Sequence, residues 1–178
     1  MAVTIVLRSI QNVQGCVRDR NKILTDVLCI LKNIHHVDFS STNISEGEAA
    51  TIFYKIDRLR CHQPLLTVLN LKGNRIGVKG ARAMSNSLQY WPNLQQLDLS
   101  GGSASTNVGE VGSERLSEKL HICTQLKRLS LSGNALTTGT GLKITANLLK
   151  CAQLTELNFS NNPFIEKYSF HFYPHVLF

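Results

Sequence analysis

"LTVLNLKGNRIGVKG", Leu66 to Gly80, decides how this chain is read. On its own the stretch has the layout of a phosphate-binding loop. An apolar, strand-like run leads into a turn with Gly73 and Gly77, and Lys79 and Gly80 open a helix. That chemistry needs G-x-x-x-x-G-K-[ST], with the lysine on the phosphates and a hydroxyl on magnesium. Here Lys79 precedes Gly80 and Ala81 follows it, so the hydroxyl is missing. The stretch also recurs, which a nucleotide loop has no reason to do. It returns as "LQQLDLSGGSA" from Leu94, "LKRLSLSGNAL" from Leu126 and "LTELNFSNNPF" from Leu154. A weaker copy, "IHHVDFSSTNI", begins at Ile34, and a vestige at Ala2 puts Ile5 and Leu7 in the strand positions. The shared pattern is L-x-x-L-x-L-x-x-N-x-L, and the steps 34→66→94→126→154 are 32, 28, 32 and 28 residues.

Helical spacing fills the gaps. Gly80, Met84 and Leu88 recur at i, i+4, i+8, as do Thr140, Ile144 and Leu148, and Gly112, Leu116 and Leu120. Such a stripe is the buried side of an amphipathic helix. Leu24, Leu28 and Leu31 suggest one more before Ile34. The four extra residues of the longer units are about one helical turn. In the Ile34 unit they lengthen the helix through Asp57 to Arg60, and in the Leu94 unit they fall before it, in "SASTNVGE". Each unit is thus a short strand, a turn and a helix, unable to bury its apolar side alone. Stacked in register, the units form a parallel sheet backed by a row of helices. Helices are wider than strands, so the sheet lies on the inside of the bend.

The segments "LNLKGNRIGVKGARAMSNSL" and "LSLSGNALTTGTGLKITANLL" resemble the ribonuclease-inhibitor-like subclass of leucine-rich repeats. The resemblance runs from about Ile34 to Phe164, and more weakly back to Ala2. It implies an α/β, right-handed leucine-rich-repeat solenoid, with a short parallel sheet on the concave face and helices on the convex face. The expected organisation is a single domain over 1–178. It has a degenerate unit at 1–33, repeats starting near 34, 66, 94, 126 and 154, and an aromatic segment at 164–178. The resemblance also implies an inward asparagine whose amide bonds the backbone of adjacent turns. That position reads Thr42, Asn74, Gly102, Asn134 and Asn162. Gly102 has no amide, so "GGSASTNVGE" is expected to be the irregular point of the stack.

Composition is consistent with a folded, water-facing chain. At 43% hydrophobic it can bury a core, and no apolar run nears the ~18 residues of a membrane span. Five cysteines without a close pair suggest neither a disulfide framework nor a CxxC metal site, and so a reducing compartment. The register position three residues before the strand holds Trp91, Cys123 and Cys151, read as buried structure. His35, His36, His171 and His175 lack metal-ligand spacing. A net charge of +7 permits acidic partners or nucleic acid. No aromatic residues interleave with the cations as base-stacking platforms would. Arg8, with no acid before Asp19, gives the N-terminus a faint mitochondrial-targeting character.

Strand alternation assigns the outward residues. Asp38, Asn70, Asp98, Ser130 and Asn158 form one line; Ser40, Lys72, Ser100, Ser132 and Ser160 the next; His36, Val68, Gln96, Arg128 and Glu156 precede them. This small, polar face lacks the aromatic anchors of tight interfaces. Charges the repeat does not require are partner-contact candidates: Lys72, Arg75, Lys79, Arg82 and Arg128, with Asp38 and Asp98 on the strand face. Phe170, Phe172 and Tyr173 lie in the terminal aromatic segment, which is either a cap on the last unit or a docking element.

The expected function is a non-catalytic protein-interaction or scaffold module without cofactor or metal. It would be a subunit of a larger intracellular assembly that is cytoskeletal, ciliary or mitochondrial, and cytoplasmic before mitochondrial. No nucleophile–base pair or paired carboxylates recur to suggest a reaction. Alternatives are a regulator of a small GTPase using Arg75 and Arg82, or a sensor fragment of an innate-immune receptor. The ends carry no evident polar cap, so the array is expected to be completed by neighbours or to be part of a longer one.

Overall fold

The computed structural model describes residues 3–6, 22, 25, 26, 28, 29, 33–101 and 108–163. Six strands, β1 (Val3–Val6), β2 (Ile34–Asp38), β3 (Val68–Asn70), β4 (Gln96–Asp98), β5 (Arg128–Ser130) and β6 (Glu156–Asn158), make one sheet in chain order. Every pairing is parallel, and Val37, Leu69, Leu97, Leu129 and Leu157 align across β2 to β6. Parallel neighbours need a crossover. Here the crossovers are helices α1 (Glu46–Leu59), α2 (Gly77–Ser87), α3 (Gly109–Lys119) and α4 (Thr138–Leu148), each packed on the next. The result is an α/β repeat fold.

The core lies between the two layers. Leu66, Leu94, Leu126 and Leu154 enter the strands fully buried, and Ile56, Met84, Leu116 and Ile144 meet them from the helices at 0% exposure. Each such side chain contributes roughly 1.5–3 kcal/mol by leaving water. Close approach of the helices depends on Gly80, where a Cβ would stand 2.7 Å from Ala49 Cβ, and on Gly112, where it would meet Ala81 Cβ at 3.0 Å.

Helix starts are shared between units. α1 has its own capping box, in which Ser45 Oγ accepts from Glu48 N and Glu48 Oε2 accepts from Ser45 N at 2.8 Å. The residue capping α2, Ile76, has no side chain to offer. Glu46, one unit back, lays its carboxylate over Gly77 (φ +63°) and accepts from Lys79 N at 2.9 Å. Glu110, at the equivalent place two units on, accepts from Thr137 N at 3.0 Å, just before α4.

The asparagines bond the turns together. Asn74 Oδ1 accepts from Ile44 N (2.9 Å) and Thr42 Oγ1 (3.2 Å), while its Nδ2 donates to Phe39 O (2.7 Å) and Leu71 O (3.0 Å). Asn134 reaches Val108 N and Leu99 O, and Asn162 reaches Leu136 N and Leu131 O. Thr42, the substituted position, is buried, and its one hydroxyl proton is shared between Phe39 O at 2.8 Å and Asn74 Oδ1 at 3.2 Å. A buried amide with two donors and an acceptor satisfies backbone groups that would otherwise stay unpaired.

The structure corrects the cysteine reading. Cys29 and Cys61 form a disulfide across a sequence separation of 32. The bond was not visible as a close pair because the partners are register equivalents, five residues before Ile34 and Leu66. Stacking one unit on the next brings their Cα atoms to 4.6 Å. Cys123 and Cys151 remain free and buried. The irregular loop over 102–107, the aromatic segment 164–178 with Phe170, Phe172 and Tyr173, and Leu24 and Leu31 lie outside the described residues.

Candidate functional site on the strand face

The outward side chains of β2 to β6 line an open groove of about 820 Å³. Its floor is tied down locally. Oδ1 of Asp38, Asn70, Asp98 and Asn158 accepts from the backbone N–H two residues on, in Ser40, Lys72, Ser100 and Ser160, at 2.8–3.0 Å. These are turns closed by the side chain, and they end each strand after three to five residues. Hydroxyls then pair between units, Ser100 with Ser130 at 2.7 Å and Ser132 with Ser160 at 3.0 Å. Much of the polarity of this face is therefore already engaged.

The sequence-derived candidates divide by face. Lys72, Asp98 and Arg128 line the groove together. Lys72 is exposed and its ammonium makes no ion pair among the described residues. Asp98 is half-buried, and Arg128 Nε is matched by Glu156 Oε1 at 2.7 Å. An exposed pair of this kind is worth at most about 1 kcal/mol and can exchange partners. Asp38 also lines the groove, on the outward face as expected, but is buried there at 2% exposure. Alternation gives the direction of a side chain and does not say whether that side is covered. Lys79 and Arg82 belong to α2 on the opposite layer, and Arg75 is an exposed turn residue whose backbone N–H donates to Ile44 O. The charges of "LTVLNLKGNRIGVKG" thus do not converge on one site.

Reading the sequence as a row of outward residues missed Glu156 as the counter-ion of Arg128. Opposed positions of adjacent strands carry that signal, and Arg128 and Glu156 are register partners. The buried thiols offer no nucleophile. Burial, with Cys151 nearby, pushes Cys123 up to about 12, and burial pushes Cys151 up to about 11. Among the described residues no helix is long and apolar enough to cross a membrane.

An α/β repeat with a polar groove along its strands is a binding architecture, in which each unit adds one rung to a continuous surface. A family model described as Leucine Rich repeat matches residues 62–85, which cover β3, the turn with Asn74 and most of α2. No curated protein matches the chain in sequence. The matched repeat identifies the chain as carrying a protein-interaction motif.

Proposed function

We propose that the chain is a right-handed leucine-rich-repeat solenoid of the ribonuclease-inhibitor-like subclass, and that it binds a protein without catalysis through its concave strand face. In this reading 1–178 is one domain, with a degenerate unit at 1–33 and repeats starting near 34, 66, 94, 126 and 154. The observation that carries the proposal is the groove of about 820 Å³ running across the strands, with Lys72 in no ion pair among the described residues and the exposed Arg128–Glu156 pair at its wall. A partner with an acidic stretch would displace Glu156 from Arg128 and reach Lys72 as well, which sets orientation and association rate more than raw affinity. The small, hydrogen-bonded floor suits a wet interface of modest strength.

Membership in a larger intracellular assembly follows from the basic charge and the extended surface. Disulfides persist in oxidising compartments, so Cys29–Cys61 weighs against a permanently reducing one and sets a condition on that location. The test is site-specific photo-crosslinking in native extracts, with the photoreactive residue placed at Lys72 in one chain and at Arg82 in another. The groove position should give a discrete protein adduct that competes with unlabelled chain. An adduct formed from Arg82 alone would move the binding surface to the helices and refute the proposal.

A further inference from the structure

The surroundings of Cys29–Cys61 differ from those of a sealed structural disulfide. Both cysteines line a cleft of about 770 Å³ with Leu59, Arg60 and Leu65. Leu59 and Leu65 are 64% and 40% exposed, which gives the cleft open apolar walls. Cys29 is half-buried, whereas Cys61 is 6% exposed, so attack from solvent reaches Cys29 first. Arg60, next to Cys61, holds the left-handed C-cap of α1 (φ 49°) and makes no ion pair among the described residues.

We propose that this bond is a thiol–disulfide exchange site, at which an anionic low-molecular-weight thiol bearing carboxylates modifies Cys29. The thiolate attacks Cys29 Sγ. A new S–S bond forms there as the Cys29–Cys61 bond breaks, and the electron pair leaves on Cys61 Sγ, which takes a proton from solvent. The incoming thiol is oxidised to the mixed disulfide and Cys61 is reduced. A second thiolate releases Cys29 as a thiol together with the reagent's symmetric disulfide, and that disulfide run in reverse restores the bond. The guanidinium of Arg60, on the wall of the same cleft, draws in the carboxylates of the incoming thiol. Opening removes the covalent link to the unit before Ile34, which stays joined among the described residues by the β1–β2 pairing, by Leu28 packed in the core and by the bond from Gln63 Nε2 to Leu28 O (3.0 Å). The site does not depend on the binding role of the groove.

The test uses the disulfide-intact full chain carrying Cys16→Ser, incubated with glutathione or with neutral 2-mercaptoethanol, and mapped by peptide mass spectrometry after acid quench. Glutathione should give one adduct on Cys29 and a newly alkylatable Cys61, with Cys123 and Cys151 unmodified. Arg60→Gln should slow the glutathione reaction about fivefold and leave the 2-mercaptoethanol reaction unchanged. Adducts seen only after denaturation, a first adduct on Cys61, or equal slowing of both thiols would each overturn the proposal.

Discussion

Replacing Asn74 with alanine tests how the turns are held together. Asn74 is 4% exposed and makes four hydrogen bonds. Not all four partners suffer equally when the amide goes. Phe39 O keeps a second donor in Thr42 Oγ1 at 2.8 Å, and Thr42 keeps Phe39 O as its acceptor. Ile44 N–H and Leu71 C=O lose the one partner each has among the described residues. A buried polar group left unpaired costs about 1–3 kcal/mol. Two such groups, with the small void left behind, give about 3–4 kcal/mol. With a urea slope of roughly 2 kcal/mol/M, the denaturation midpoint should fall by about 1.5–2 M. Asn70→Ala is the internal control, because its side chain closes only a turn through Lys72 N at the groove surface (3.0 Å). It should cost about 0.5–1 kcal/mol. Asn74→Asp should be as damaging as alanine, since it sets a second acceptor against Phe39 O and Leu71 O. If Asn74→Ala unfolds at the same urea concentration as Asn70→Ala, the amide is not what joins the turns.

Three further outcomes follow from individual contacts. Gly80→Ala should destabilise by about 1–3 kcal/mol through collision with Ala49 Cβ. Gly139→Ala, in α4 with nothing within 4 Å of the added methyl, should stabilise by about 0.5–1 kcal/mol, both read by thermal unfolding. Glu110 has its pKa lowered from 4.5 chiefly by the hydrogen bond from Thr137. Its stabilisation is therefore present above the unfolded value and lost as pH falls through the depressed folded value. Glu110→Gln should lower the midpoint at neutral pH, and the gap to wild type should close under acid; a gap constant with pH would contradict the cap. Cys123 and Cys151, with thiols raised to about 12 and about 11, should resist iodoacetamide at pH 8 until the chain is unfolded, as peptide mapping would show.

The parts of the fold legible in the sequence are those where the backbone leaves no alternative. The resemblance to leucine-rich repeats implied an inward amide at Asn74, Asn134 and Asn162, and a buried turn with orphan donors and acceptors gives that position its physical reason. A helix pressed on its neighbour favours a missing side chain, and Gly80 in the opening turn of its helix fits that need; the same role for Gly112 shows only in the packed structure. Features made between units were less visible. Cys29 and Cys61 share a register, but the relation appears only when the 32-residue step is applied to cysteines as it was to leucines. Glu46 and Glu110 cap the following unit's helix start, a role no single-helix pattern shows, because the acid sits outside the helix it serves. Asp38 escaped for a different reason. It lines the groove as an outward residue, and strand period carries no information about how deeply such a side chain is buried.

The claim that the strand face is the working surface is tested most directly by paired charge reversals on the folded chain. Once a crosslinked partner is purified, its dissociation constant is measured against wild type, against Lys72→Glu with Arg128→Glu, and against Arg58→Glu with Arg82→Glu. All four side chains are exposed, so the fold should survive, with circular dichroism as the check. Loss of at least tenfold in affinity for the groove pair, with the helix pair unchanged, is the predicted result. Unchanged binding by the groove pair, with loss in the helix pair, would contradict the account.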